Sequence, residues 1–405
     1  MSGRVAAKAI SLVCFAVVLT GADRVLGGQD FLGISPTLLT GVAMALSALI
    51  SIHYCGSRIV QNTAEIFVRA RTVFIIALIF FVAILASCLS GFRAHAEAEL
   101  YLVLAMYQFA LFCLAVLAAG YLARAQELRM ICAASAIILT VSVVAEAISP
   151  EIFGSTLRGR ASGFPGNPNG TGVALISLLI LSLRWDRDDQ RWNAVVGTTV
   201  VTGILLGMSR AAILVFALVS VQFFRASGRP FVAAARILFM IVAAVFAFGL
   251  VMTSEIFSDF ISFGSFQDRY DAMLQLSFVR ENDIRLGVAD EFLDRISERP
   301  IVGYGYAYSF TFPEGPHNMY LRLWFDAGLF GIATYCLLLM SVYAHFKSIR
   351  FTPGVVLVVA ISVYGFFSHN LLEDRFLIVA VAIAFAMSVR SEEGFTLVSS
   401  PARRW

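Results

Sequence analysis

Residues Gly315–Gly331 read GPHNMYLRLWFDAGLFG, and from Leu323 onward the chain stays almost wholly apolar as far as Tyr343. A helix needs about 20 apolar residues to cross a hydrocarbon core, and this run is long enough. Yet His317 and Asn318 stand directly before it, and Arg322 and Asp326 lie within its first turns. Ionisable groups at membrane depth are expensive and mark working positions unless they neutralise one another. The stretch therefore poses two questions at once, of a membrane fold and of polar chemistry at the end of a spanning helix.

Composition answers the first. The 405 residues are 59% hydrophobic and 14% charged, with a mean hydropathy of +0.82, against roughly 45–50% apolar and roughly 25% charged in soluble domains. This is an all-α polytopic membrane protein. Apolar runs place about twelve transmembrane helices near 5–22, 37–55, 72–90, 100–122, 130–149, 170–184, 193–209, 211–225, 231–253, 323–345, 353–369 and 375–390. Cytoplasmic loops gather Lys and Arg, and this sets the amino terminus inside. Both lysines, Lys8 and Lys347, then fall inside, so positive charge on the outer face is arginine only. Arginine's planar fork suits phosphate oxygens.

Residues 1–405 read as a single membrane domain. Its one large excursion, residues 254–322, is an outer, periplasmic loop between the ninth and tenth helices. Within it Asp283 is expected to cap an amphipathic helix whose apolar positions Ile284, Val288, Phe292 and Ile296 recur every four residues, with Pro300 as a stop. Next, YGYAYSF alternates Tyr304, Tyr306, Tyr308 and Phe310 with small residues, a period of two that puts the rings on one face of an extended segment. The six cysteines lie in or beside apolar runs without paired spacing and read as small buried hydrophobes.

On this topology the unusual polar residues share one mouth. Arg160 and Asn169 lie in RASGFPGNPNG, Arg210 at the junction of two helices, Arg285 in the amphipathic helix, and His317, Asn318 and Arg322 at the tenth helix. His369, Glu373 and Arg375 follow in SHNLLEDRF. Each has a plainer reading. Arg210 can snorkel to the interface, Asn318 can cap its helix, Arg322 can pair with Asp326 four residues on, and His369 with Glu373. The outer acids Asp23, Asp30, Glu373 and Asp374 are scattered over the first and last outer loops. No metal-ligand spacing occurs on the outer face, and no phosphate-cradling glycine loop occurs anywhere.

The segments RASGFPGNPNG, GMSR, IR followed by SERPIVGYGY, and GPHNMYLRLWFDAGLFG, in that order, resemble the O-antigen ligase and O-antigen polymerase superfamily of bacterial glycan-assembly enzymes. That resemblance implies a glycan donor on a polyprenyl diphosphate such as undecaprenyl diphosphate, an active site on the periplasmic face of the inner membrane, and neither nucleotide nor metal cofactor. It implies a saccharide acceptor, either the lipid A core of lipopolysaccharide or a second lipid-linked repeat unit, and no nucleic acid. By the same resemblance Arg210 and Arg285 hold the diphosphate and His317 assists the acceptor hydroxyl. Arg160 and Asn169 shape the mouth, and Asn318, Arg322 and His369 are further substrate contacts. Chemistry agrees: negative charge grows on the departing diphosphate, where fixed arginines stabilise it, and histidine is suited to take the hydroxyl proton. A twelve-helix transporter is the competing class. The single long loop and one-sided polar residues disfavour it, since transporters commonly repeat their halves around a midplane site.

Overall fold

The computed structural model describes residues 2–27, 34–91, 98–121, 125–149, 152–153, 161–185, 190–207, 209–226 and 279–399. These form α1 Ser2–Thr20, α2 Ala22–Gly27, α3 Pro36–Cys55, α4 Ser57–Arg69, α5 Arg71–Gly91, α6 Ala98–Tyr121 and α7 Ala125–Ile148. There follow α8 Pro168–Ser182, α9 Gln190–Gly207, α10 Arg210–Ala226, α11 Val279–Glu298, α12 Met319–Ser348, α13 Thr352–Tyr364 and α14 Arg375–Ser399. Among the described residues there is no strand.

Eleven of the twelve expected apolar runs coincide with helices, and the run near 231–253 lies outside the described residues, as does 254–278 of the expected excursion. Among the described residues four helices, within α3, α5, α7 and α12, are long and apolar enough to cross a membrane, and six further apolar helices are shorter. The protein is a helical, membrane-embedded one. At its centre α8 is buried on every side, from Thr171 to Ser182. It packs on α7, α9, α10, α13 and α14. A helix apolar all round belongs in such a core.

The tenth expected span is broken. Gly328 of α12 has φ 64° and ψ −163°, a geometry only glycine adopts freely. The break frees carbonyls from the helix ladder, and neighbours take them up. Tyr304 N donates to Phe325 O at 3.0 Å, while Gly305 N at 2.8 Å and Ser87 Oγ at 3.0 Å donate to Asp326 O. Beyond the kink, Leu329 N donates to Pro300 O at 3.0 Å. A Cβ on Gly328 would stand 2.1 Å from Ile301 O, so the segment 300–305 docks into the notch only because that residue has none.

Two expectations for this segment need correction. The amphipathic helix exists, with Phe292 and Ile296 buried against Phe325 of α12 and Pro300 just past its end. It runs Val279–Glu298, however, so Asp283 stands inside it and not at its start; Arg280 and Glu281, both good helix formers, carry it further back. The aromatic run is curled, not extended, because Gly303, Gly305 and Ala307 have φ of 72°, 112° and 65° and Tyr308–Thr311 forms a 3-10 turn. Alternate rings therefore part company. Tyr304 and Tyr308 stack on each other and on Phe325, while Tyr306 and Phe310 close over Arg322.

Candidate active site

The starts of α8, α10, α12 and α14 meet at one end of the bundle, and the polar residues collect there. Asn167 caps α8 through its side chain, accepting from Asn169 N at 2.9 Å. Asn318 caps α12, accepting from Tyr320 N at 2.9 Å and Leu321 N at 3.1 Å. Both carry out the capping role that their position before a helix invites. Just ahead of Asn318, His317 has φ 49°. Left-handed backbone is uncommon for a side chain of this size, and such strain collects at working sites.

Behind this mouth lies a saturated ion cluster. Arg322 is wholly buried. Its Nε donates to Asp326 Oδ2 at 3.3 Å, and Nη1 donates to Glu373 Oε2 at 2.8 Å and to His369 O at 2.6 Å. Nη2 faces Glu373 Oε1 at 2.8 Å. Asp326 is held in turn by Ser309 N at 2.8 Å, Ala307 N at 3.0 Å and Ser309 Oγ at 3.0 Å. Phe310 and Tyr306 present ring faces to the guanidinium at 4.3 and 5.5 Å. Buried charges persist when paired, and here Nε and Nη1 are hydrogen-bonded while Nη2 is held by the ion pair alone. Arg322 thus clamps the turn 368–374 to α12 and has no face open to a substrate.

In front of the cluster is a polar cavity of about 260 Å³, lined by Asp23, Arg24, Asn167, Asn169, His317, His369, Glu373, Asp374 and Arg375 among others. The His317 and His369 rings meet edge to face, 5.2 Å between centroids. Burial first, then the positive charge of Arg322 and the neighbouring His317, push the His369 pKa down to about 3, so its ring is neutral at ordinary pH. Burial and then the charge of Glu373 raise the Asp374 carboxyl to about 7, against the pull of Arg375. Asp23 is raised by burial, although Arg375 at 3.0 Å and Thr40 at 2.6 Å favour its charge.

The loop 161–167 on the cavity's far side is pinned by residues that no motif announced. Glu146, buried within α7, accepts from Gly163 N at 2.6 Å and Ser162 Oγ at 3.1 Å. Arg24 Nη1 donates to Pro165 O at 2.6 Å. Asn169 links this loop to the next junction, since Ser209 Oγ donates to its Oδ1 at 3.1 Å and Tyr364 OH to its carbonyl at 2.7 Å. Arg210, the first residue of α10, directly follows Ser209.

The structure thus brings Asn169, His317 and His369 to one cavity, sets Arg210 beside it through Ser209, and seats Asn318 as a cap on its rim. Arg322, expected to touch substrate, is instead the buried clamp. Arg160 and the side chain of Arg285 lie outside the described residues, though the Arg285 backbone belongs to α11. Asp23, Glu373 and Asp374, far apart in sequence, line the same cavity, while Asp30 lies outside the described residues. What the motifs missed, Arg24 and Glu146, had one visible signal: charges within or directly beside apolar runs.

Across the turn 368–374 lies a second cavity, about 250 Å³ and apolar, whose wall includes Phe80, Phe81, Phe109, Tyr335, Leu338 and Leu372. Tyr306 belongs to this wall, and its OH reaches Glu373 Oε1 at 3.4 Å. The turn therefore shows leucines to one cavity and His369, Glu373 and Asp374 to the other.

Residues 194–336 match the family model described as O-antigen ligase. The matched segment holds Arg210, α11, the curled aromatic turn, His317 and the kink of α12, and stops short of the turn 368–374. No curated protein matches the chain.

Proposed function

We propose that this chain, whose residues 194–336 match the O-antigen ligase family model, belongs to the O-antigen ligase and polymerase superfamily and is a glycosyltransferase that moves a saccharide from a polyprenyl diphosphate onto a saccharide acceptor at the periplasmic face of the bacterial inner membrane. The observation that carries the reading is His317, strained and set on the wall of the polar cavity within the matched segment. Arg210 and Arg285 hold the diphosphate, aided by the positive end of α10. His317 takes the acceptor's proton as the acceptor oxygen joins the anomeric carbon and the bond to the diphosphate breaks. The apolar cavity beyond the outer turn supports a donor with a long hydrocarbon chain. Asn169 and Arg160 shape the mouth, and Arg322 places His369 without touching substrate. No metal is required, because arginines neutralise the leaving group.

The favoured acceptor is the lipid A core, which makes the protein a ligase; a polymerase joins lipid-linked repeat units by the same chemistry. A deletion strain examined by lipopolysaccharide gel tests both. Loss of all capped chains while lipid-linked polymer accumulates means ligase, and chains cut to a single repeat mean polymerase. An unchanged ladder removes both. Reporter fusions are expected to place positions near 160, 290 and 371 outside and those near 188 and 350 inside; position 290 in the cytoplasm would overturn the assignment of the active face.

A further inference from the structure

The polar cavity's charged groups differ in what they are already doing. Arg375 pairs with Asp23 at 3.0 Å and donates to Thr37 Oγ1 at 3.1 Å. Arg24 donates to the Pro165 carbonyl, and both oxygens of Glu373 are engaged by Arg322. Asp374 stands apart. Its carboxylate accepts no hydrogen bond from any described residue, although its own backbone carbonyl closes the first turn of α14, with Leu377 N at 3.0 Å and Ile378 N at 3.2 Å. It lines the cavity near His317 and His369, with Asn167 and Asn169 on the same lining.

An ionised carboxylate is an acceptor only, so a partner for it must bring O–H or N–H donors. We propose that Asp374 grips hydroxyl groups of the acceptor sugar, so that this cavity selects a neutral, hydroxyl-bearing sugar and rejects one carrying a carboxylate or a phosphate at that place. The inference rests on the transferase reading in taking the cavity as the acceptor's side, with the diphosphate kept near Arg210. An acidic sugar would bring acceptors and a like charge to Asp374, and discrimination by such mismatch is as effective as attraction to the right ligand. The counterweight is the helix starts at this end, which favour anions. Asn167 and Asn318 cap two of these, and the charge of Asp374 sits at the third. Other titratable groups facing Asp374 across the cavity are Asp23, His317, His369 and Glu373, with Arg24 and Arg375. The test is set at pH 8, where a carboxyl held up near 7 is mostly ionised.

Two measurements on the purified full-length protein decide it. In the first, methyl glycosides of a neutral hexose and of the matching uronic acid, together with inorganic phosphate, are titrated and followed calorimetrically. The neutral glycoside is expected to bind about tenfold or more tightly than either anion, and Asp374→Asn should weaken it about tenfold while improving the uronide, the range of one hydrogen bond to a charged group. Tighter binding of the uronide or phosphate, no binding of the neutral glycoside, or an Asn variant that behaves as wild type overturns the proposal. In the second, transfer from a lipid-linked donor is measured. Asp374→Asn should raise the acceptor KM about tenfold and leave the donor KM and kcat nearly unchanged; a collapse of kcat at constant KM overturns the gripping role. The two readings fail separately. Selective sugar binding without any transfer sinks the transferase reading and keeps the cavity's selectivity, whereas transfer without that selectivity does the reverse.

Discussion

Two charged clusters sit back to back at one end of the bundle, and they are built oppositely. Around Arg322 every strong group has a partner: two carboxylates, a carbonyl and two aromatic faces enclose one guanidinium that is wholly buried. Around the polar cavity the engagement is looser: the Asp374 carboxylate accepts no hydrogen bond from any described residue, and His317 stands in left-handed backbone on the same lining. The saturated cluster fixes where the turn 368–374 lies. The unsaturated one keeps binding capacity for something absent from the fold. Residue type does not separate scaffold from chemistry here; saturation does, and the two clusters meet in the single turn 368–374.

The comparison breaks most violently at Arg322. Removing one member of a buried ion cluster leaves the others charged and unpaired, at about 3–5 kcal/mol. Arg322→Ala is expected to abolish folded protein, followed as loss of the monodisperse peak in detergent, and Arg322→Lys should not restore it, because one ammonium cannot serve Asp326, Glu373 and the His369 carbonyl together. A well-folded, active Arg322→Ala protein would mean that the cluster clamps nothing.

On the open side, variants should lose activity and keep the fold. Arg210→Ala and Arg285→Ala are expected to abolish transfer, and the lysine variants to retain only a small fraction, since lysine keeps the charge without the two-pronged contact. Near-normal turnover in both lysine variants would remove the diphosphate role. His317→Ala should cost on the order of a hundredfold or more, the usual share of a positioned general base. EDTA should change nothing. If EDTA stops transfer and magnesium restores it, arginines alone do not carry the leaving group's charge.

How much of this was legible beforehand follows from how far apart the partners lie in the chain. Apolar runs located eleven helices because span length is a local property. The period of four found the amphipathic helix, and the Asn318 cap was readable from its position. Arg322 was misread for the opposite reason. Asp326 is four residues away and the local pair was readable, but Glu373 and the His369 carbonyl are 51 and 47 residues off, so a sequence shows a surface ion pair where the fold has a buried cluster. The acids read as scattered for the same cause, until Arg375 reaches Asp23 and draws α2 and the turn 368–374 to one cavity. YGYAYSF misled because alternation predicts an extended strand only where backbone φ stays negative, and three of its neighbouring positions do not comply.

His369 belongs to both clusters, its carbonyl to the clamp and its ring to the cavity, and acid should expose the conflict. Its pKa is about 3 in the folded protein and near 6.5 in an unfolded chain. The unfolded state therefore binds the extra proton between those limits, so the contribution of the neutral ring is present above pH 6.5 and is lost as pH falls toward 3. His369→Gln should flatten the decline in thermal stability between pH 7 and 4.5 by on the order of 1–2 kcal/mol. A variant with the same acid slope as wild type would show that the ring is not held neutral by its burial and the charge of Arg322.

Asp374 should respond in the reverse sense, and this is the smallest and sharpest expectation. Its folded pKa of about 7 lies above the 3.8 of a free carboxyl, so here the folded state binds the extra proton. Stability from the neutral acid is fully present below pH 4 and is lost as pH rises through 7. Replacing Asp374 by Asn removes the charge that burial penalises. The variant should therefore match wild type at pH 4 and be more stable at pH 8, by about 1 kcal/mol, since water in the open cavity screens much of the cost. Thermal melts at the two pH values read the difference. Equal stability at both would place Asp374 in ordinary solvent and return it to the scaffold. A gain at pH 8 coupled with weaker sugar binding would mean that the fold retains a destabilising carboxylate at its mouth because the ligand needs it, as working sites retain charges that stability alone would discard.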